Sequence, residues 1–130
     1  MVVAYDVELI LMRELASCLA TPVFIVDPLG TLIFYNEKAE ELLGRRFDET
    51  GEMPAHEWAT IFTPTDENGQ LIAEGDLPLT VALREERPAY STMIIDALDG
   101  VQRSLQVTAI PITARSGVLL GAAALFWQQS

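Results

Sequence analysis

The chain has 130 residues, half of them hydrophobic and about a fifth charged, which suits one folded domain and leaves no room for separate substrate and cofactor domains. Eight basic against 19 acidic residues give a formal charge of −11, a field that repels phosphate backbones and anionic headgroups, so nucleic-acid and membrane-surface partners are disfavoured. A lone Cys18 excludes an internal disulfide, and with no secretory signal pattern and no apolar run approaching the roughly 18 residues of a membrane span, the expected compartment is the cytoplasm.

Between Val2 and Leu19 the residues Val2, Tyr5, Leu9, Met12, Ala16 and Leu19 recur at alternating spacings of three and four, the seam of an amphipathic helix. Ile10, Leu11, Leu15 and Cys18 lie off that seam, so the helix has more apolar surface than one contact needs. The seam is expected to pair with a second copy of the chain; a helix that only caps its own domain is the simpler alternative. Residues 1–20 are therefore read as a dimerisation helix and 21–130 as the domain it precedes. Thr21-Pro22 stops the helix. Val23-Phe-Ile-Val26 and Thr31-Leu-Ile-Phe-Tyr35 read as strands around the turn Asp27-Pro-Leu-Gly30. Asn36 caps a short helix that turns Ala39, Leu42 and Leu43 inward, with Gly44 as its left-handed stop.

From Arg45 to Gly75 there is no clean period apart from Ala55 to Phe62, one short helix with Trp58, Ile61 and Phe62 on a side. Asp66-Glu-Asn-Gly69 is a turn, and Asp76 is expected to cap a firmer helix, Leu77 to Glu86, ended by Pro88. Tyr90 to Leu98, Val101 to Ile112 and Val118 to Trp127 then form three strands, joined by a two-residue Asp99-Gly100 turn and by Arg115-Ser-Gly117. The order predicts an α+β fold: one five-stranded antiparallel sheet whose single face is covered by the mid-chain helices.

Chemistry is sparse. Glu40-Glu41, Asp66-Glu67 and Glu85-Glu86 read as solvated faces, and no phosphate loop, metal-spaced cluster or paired nucleophile and base is found, so no catalytic or metal residue is assigned. His56 is the only imidazole and reads as a surface residue. A pocket, if present, is apolar: Trp58, Phe62, Leu79 and Leu83 should face Leu105, Val107 and Ala109, with Ala122 and Ala124 giving room. Close packing of large against small explains the same pattern more simply.

These segments resemble a PAS domain, the small sensory module of signalling proteins. The matching residues are Pro22-Val-Phe-Ile-Val-Asp27, Gly30-Thr-Leu-Ile-Phe-Tyr-Asn36, the Ala39 to Gly44 helix end, Asp76-Leu-Pro-Leu79 with Ala82-Leu-Arg84, Asp99-Gly100, Val107-Thr-Ala-Ile-Pro-Ile112 and Gly117-Val-Leu-Leu-Gly-Ala122. Together they span about Leu15 to Trp127. The resemblance implies strand order 2-1-5-4-3, a helical flank around a possible ligand cavity, and dimerisation through the N-terminal helix. Haem-binding relatives carry their histidine on the helix that matches Leu77 to Glu86, and flavin-binding ones a cysteine in the central helical segment; His56 and Cys18 stand elsewhere, so haem and flavin are disfavoured and no cofactor is expected. Tandem relatives continue from the last strand into an Asp-Ile-Thr-like linker, where this chain has Phe126-Trp-Gln-Gln-Ser130. An excised domain and a stand-alone protein both fit.

The function expected is a non-enzymatic sensory and interaction module of cytoplasmic signal transduction, homodimeric, able to hold a small apolar ligand and to act on an output partner such as a transcription regulator. Two alternatives remain: a small cone-shaped α+β enzyme of the isomerase or cyclase kind, which needs a buried Asp or Tyr beside His56, and a haem-based sensor.

Overall fold

Residues 7–128, with side chains from residue 10 onward, are described by a computed structural model. The strand β1 (Val23–Val26) is apolar at every position because both of its faces are covered. Phe24 and Val26 belong to the larger core, while Val23 and Ile25 belong to a separate cluster on the opposite side. β1 pairs antiparallel with β2 (Leu32–Tyr35) and with β5 (Leu119–Gln128), and β5 continues to β4 (Gln102–Thr113) and β3 (Ala89–Asp96). The sheet order is β2-β1-β5-β4-β3, the order that the resemblance implied.

The connections share one construction. In 27–31, 97–101 and 114–118 the first residue's amide donates to the fifth residue's carbonyl, and the fourth residue, a glycine, donates back to the first. That is a turn closed by a left-handed glycine, a three-residue hairpin loop. The expected two-residue Asp99-Gly100 turn is therefore corrected: the strands end at Asp96 and resume at Gln102. The cause lies in Asp99, whose carboxylate accepts from the Val101 amide at 3.0 Å and is gripped by Arg103, so that Gly100 alone takes the positive φ.

Four helices roof the inner face. α2 (Glu37–Leu43) starts at Asn36, whose side chain accepts from the Ala39 amide, and stops at Gly44 in the left-handed region. A single turn, α3 (Phe47–Thr50), occupies part of the stretch that showed no period; the Glu40 carboxylate accepts its first amide at 2.8 Å. α4 (Ala55–Ile61) follows the reading of that segment, and α5 (Pro78–Glu85) packs on β3, β4 and β5. Asp76 does not cap α5. Pro78 holds Leu77 extended and makes it the cap residue, which leaves Asp76 in a preceding 3₁₀ turn, Glu74–Asp76. On the opposite face of the sheet lies α1 (Val7–Cys18), whose Ala16 joins Val23, Ile25, Ile33, Ile112, Leu120 and Ala123 in the second cluster. Among the described residues no helix is long and apolar enough to cross a membrane.

Candidate functional site

Between the roof and the inner sheet face lies a partly open cavity of about 60 Å³. Its floor is Phe24 of β1, Leu105 and Val107 of β4, and Ala124 and Phe126 of β5. Met93 and Ile95 of β3 form one wall, Trp58 and Phe62 of α4 another. Leu77, Pro78 and Leu79 at the start of α5, with Leu43 and Pro64, complete it. Phe24 organises the aromatic side: it stacks on Tyr35 at 6.0 Å and meets Trp58 and Phe126 edge-on at 5.6 and 6.2 Å. The one polar atom of Trp58 is satisfied elsewhere, Nε1 donating to the Gly30 carbonyl at 2.8 Å.

Every lining side chain is apolar, so a water inside would find no hydrogen-bond partner among them. The volume lies far below the roughly 300–1,000 Å³ of sites for drug-sized molecules. As it stands the cavity suits an uncharged molecule of a few heavy atoms.

Of the nine sequence-predicted pocket residues, Trp58, Phe62, Leu79, Leu105, Val107 and Ala124 border the cavity. Ala109 and Ala122 are fully buried in the same core but lie one pleat repeat away, where α5 packs on β4 and β5, and Leu83 packs half-buried at the core's edge. Sequence reasoning missed Phe24, Phe126, Met93 and Ile95. Strand alternation could have found Phe126, two residues on from Ala124, and Met93, which pairs with Leu105; Phe24 sits in a wholly apolar strand that gives no alternation to read.

The six seam residues of the first helix are divided. Val2 and Tyr5 lie outside the described residues, as does the side chain of Leu9. Met12 is half-buried and Ala16 fully buried against the domain's own sheet, and Leu19 is exposed. The apolar face left open is instead the off-seam one: Leu11 at 61% and Leu15 at 55% exposure, with Ile10. Cys18 is exposed too.

His56 is exposed on α4, and no Asp or Tyr lines the cavity, so the cone-shaped enzyme reading loses the juxtaposition it required. The cavity lining carries neither an imidazole nor a thiol. Among the described residues no group of His, Cys, Asp and Glu could hold a metal ion. Tyr35 stands behind Phe24, its buried hydroxyl donating to the Arg45 carbonyl at 2.8 Å; burial pushes the phenol above its ordinary pKa.

One antiparallel sheet in this order, roofed on one face over an apolar cavity and backed by an N-terminal helix, defines the class of small sensory α+β domains. A family model described as PAS fold matches residues 19–128, and the chain belongs to that family. The PAS domain of BvgS from Bordetella pertussis superposes with a TM-score of 0.64 at 16% identity, covering 94% of this chain and 85% of that one. The PAS domain of nitrogen regulation protein NR(II) from Vibrio parahaemolyticus gives 0.63 at 18% identity, covering 92% and 98%. A LOV protein of Rhodobacter sphaeroides gives 0.74 at 12% identity, covering 96% and 69%. At such identities the likeness is one of fold. Comparison with curated proteins gave no significant match.

Proposed function

We propose that the chain is a sensory and dimerisation module of cytoplasmic signal transduction, in which α1 pairs with a second copy and the apolar cavity takes a small uncharged ligand. The observation that carries the reading is the uncovered apolar face of α1. Leu11 and Leu15, one turn apart on α1, are exposed, as is Leu19 just past its end, although the helix has already met its own sheet through Met12 and Ala16. The sheet adds to this surface. Ile110 pairs with Ala123, a residue of the outer cluster, and Trp127 is four residues on from Ala123, so both stand on the face that α1 covers in part; they are 42% and 47% exposed. A second copy matches an apolar surface of this kind by symmetry. The charge of −11 opposes self-association, so pairing tightens as salt screens it.

Sedimentation velocity from low to high micromolar protein, at two salt concentrations, tests the pairing. The expected result is a dimer that Leu11→Glu with Leu15→Glu converts to a monomer without loss of fold. A wild-type monomer at high micromolar concentration ends the reading. The ligand half is tested by native mass spectrometry of protein purified from its own host, where a retained uncharged small molecule is expected. An output protein, including a transcription regulator, is the partner this role calls for.

A further inference from the structure

Apart from the polar atoms of the aromatic Tyr35 and Trp58, Asn36 is the one buried polar side chain among the described residues, 2% exposed. Its amide uses its whole bonding capacity. Oδ1 accepts from the Val23 and Ala39 amides, each at 3.0 Å; Nδ2 donates to the carbonyls of Ala16 at 2.8 Å and Thr21 at 2.9 Å. A helix cap needs only an acceptor, which Ser, Thr or Asp would supply as well. The donor half therefore serves something other than α2, and what it holds is the last turn of α1 and the segment that leaves it.

That segment also borders the cavity. Val23, whose carbonyl accepts the Asn36 backbone N–H at 3.1 Å and whose own N–H donates to Oδ1, precedes Phe24 of the cavity floor. Pro22 accepts from the amide of Phe126, another floor residue, at 3.1 Å. Residues 21–24 are thus pinned between two cavity aromatics on one side and the Asn36 amide on the other. A shift of Phe24 moves Val23, and Val23, bonded to Oδ1, cannot move without disturbing the side-chain amide whose Nδ2 fixes Ala16 and Thr21.

We propose that Asn36 is a positioning residue that couples the cavity to α1: displacement of Phe24 reaches the Ala16 and Thr21 carbonyls through the Asn36 amide and sets how firmly α1 is seated on the sheet. This rests on the reading of α1 as the pairing helix and of the cavity as the sensed site, and supplies the regulation that joins them.

Hydrogen exchange of the full chain, run below the concentration at which it associates, tests the coupling without any ligand. Asn36→Asp keeps the acceptor for Val23 and Ala39 and removes the donor. Exchange of the amides in 11–18 is expected to rise about tenfold, with those of α2 changed less than about twofold. Should Asn36→Asp fail to fold, Asn36→Ser, which retains a cap but cannot reach both carbonyls, carries the same comparison. Ala124→Val, facing Phe24 in the β1–β5 register, intrudes on the cavity floor and is expected to alter α1 exchange in the native background and not in the Asn36→Asp one. Protected α1 amides in the Asn36 variants, or an Ala124→Val effect absent or equal in both backgrounds, would overturn the proposal. Either result leaves the pairing and ligand readings standing, and a cavity that retains no ligand leaves this coupling standing.

Discussion

Gly44 joins α2 to the β3–β4 hairpin and is fixed there twice over. Its φ of 84° lies in the left-handed region, and a Cβ on it would come within 2.5 Å of the Asp99 backbone nitrogen, too close unless the hairpin moves. Gly44→Ala is expected to cost more than about 2 kcal/mol, read as a lower urea midpoint; an unchanged midpoint would mean the hairpin swings away freely. Asp99 itself meets Arg103 through both carboxylate oxygens, at 3.1 and 3.0 Å, and Arg103 also donates to the Leu42 carbonyl at 3.0 Å. The Arg103 bonds, then the Val101 amide, hold the Asp99 carboxyl below its ordinary pKa. A depressed carboxylate stabilises the fold above the ordinary aspartate range and loses that contribution as pH falls through its own lower value. Asp99→Asn should therefore flatten the acid-side fall in urea midpoint below about pH 4, and an unaltered slope would exclude Asp99 as a contributor. At this scale the sequence was legible where chemistry is local. Asn36 and Gly44 announce α2 within a few residues of their partners, whereas the bond from Arg103 to Leu42 crosses 61 positions and leaves no local trace. Asp76 misled for the converse reason: a good cap residue stands one position too early once Pro78 has fixed Leu77.

Among the elements, α1 shows how a helical period can be read without its neighbour being read. Spacings of three and four place Met12 and Ala16 on one side, but periodicity does not say whether that side meets another chain or its own sheet. Ala16 settles it by size. A methyl lets the helix backbone approach β1 closely enough for the Asn36 amide to reach the Ala16 carbonyl, at 2.8 Å. A larger residue there would hold the helix off. Ala16→Leu is expected to destabilise the domain by about 1–3 kcal/mol, through overpacking and loss of that bond, whereas Leu11→Glu, on the open face, should change stability by less than about 0.5 kcal/mol. Equal thermal shifts in the two variants would show that both faces of α1 are free. α3 escaped the sequence reading because one helical turn is shorter than the window in which a period can be seen, and what holds it, the Glu40 carboxylate on the Phe47 amide, belongs to the preceding helix.

For the molecule as a whole, the sheet was legible because its hairpins are joined by short turns and its longer strands alternate; of the six expected pocket residues that border the cavity, Leu105, Val107 and Ala124 follow from that alternation, and Trp58, Phe62 and Leu79 from the helical spacing. Whether those side chains leave a void was not legible, since free volume depends on every rotamer around it rather than on any one residue. The result is a gap of about 60 Å³, well short of the roughly 150 Å³ at which an engineered apolar cavity is known to admit benzene. The wall can be cut back to ask what the site is able to hold. Leu105 is fully buried and borders the gap, so Leu105→Ala should cost about 2–5 kcal/mol and enlarge it without adding a polar atom. Benzene at 100 times its dissociation constant then restores about 2.7 kcal/mol, seen as a rise in Tm that grows with benzene concentration. The native protein, with its smaller gap, should show a weaker rise at the same concentrations. If Leu105→Ala gains nothing from benzene, the roof has collapsed into the space, and the cavity belongs to the packing of the core rather than to the sensing of a ligand.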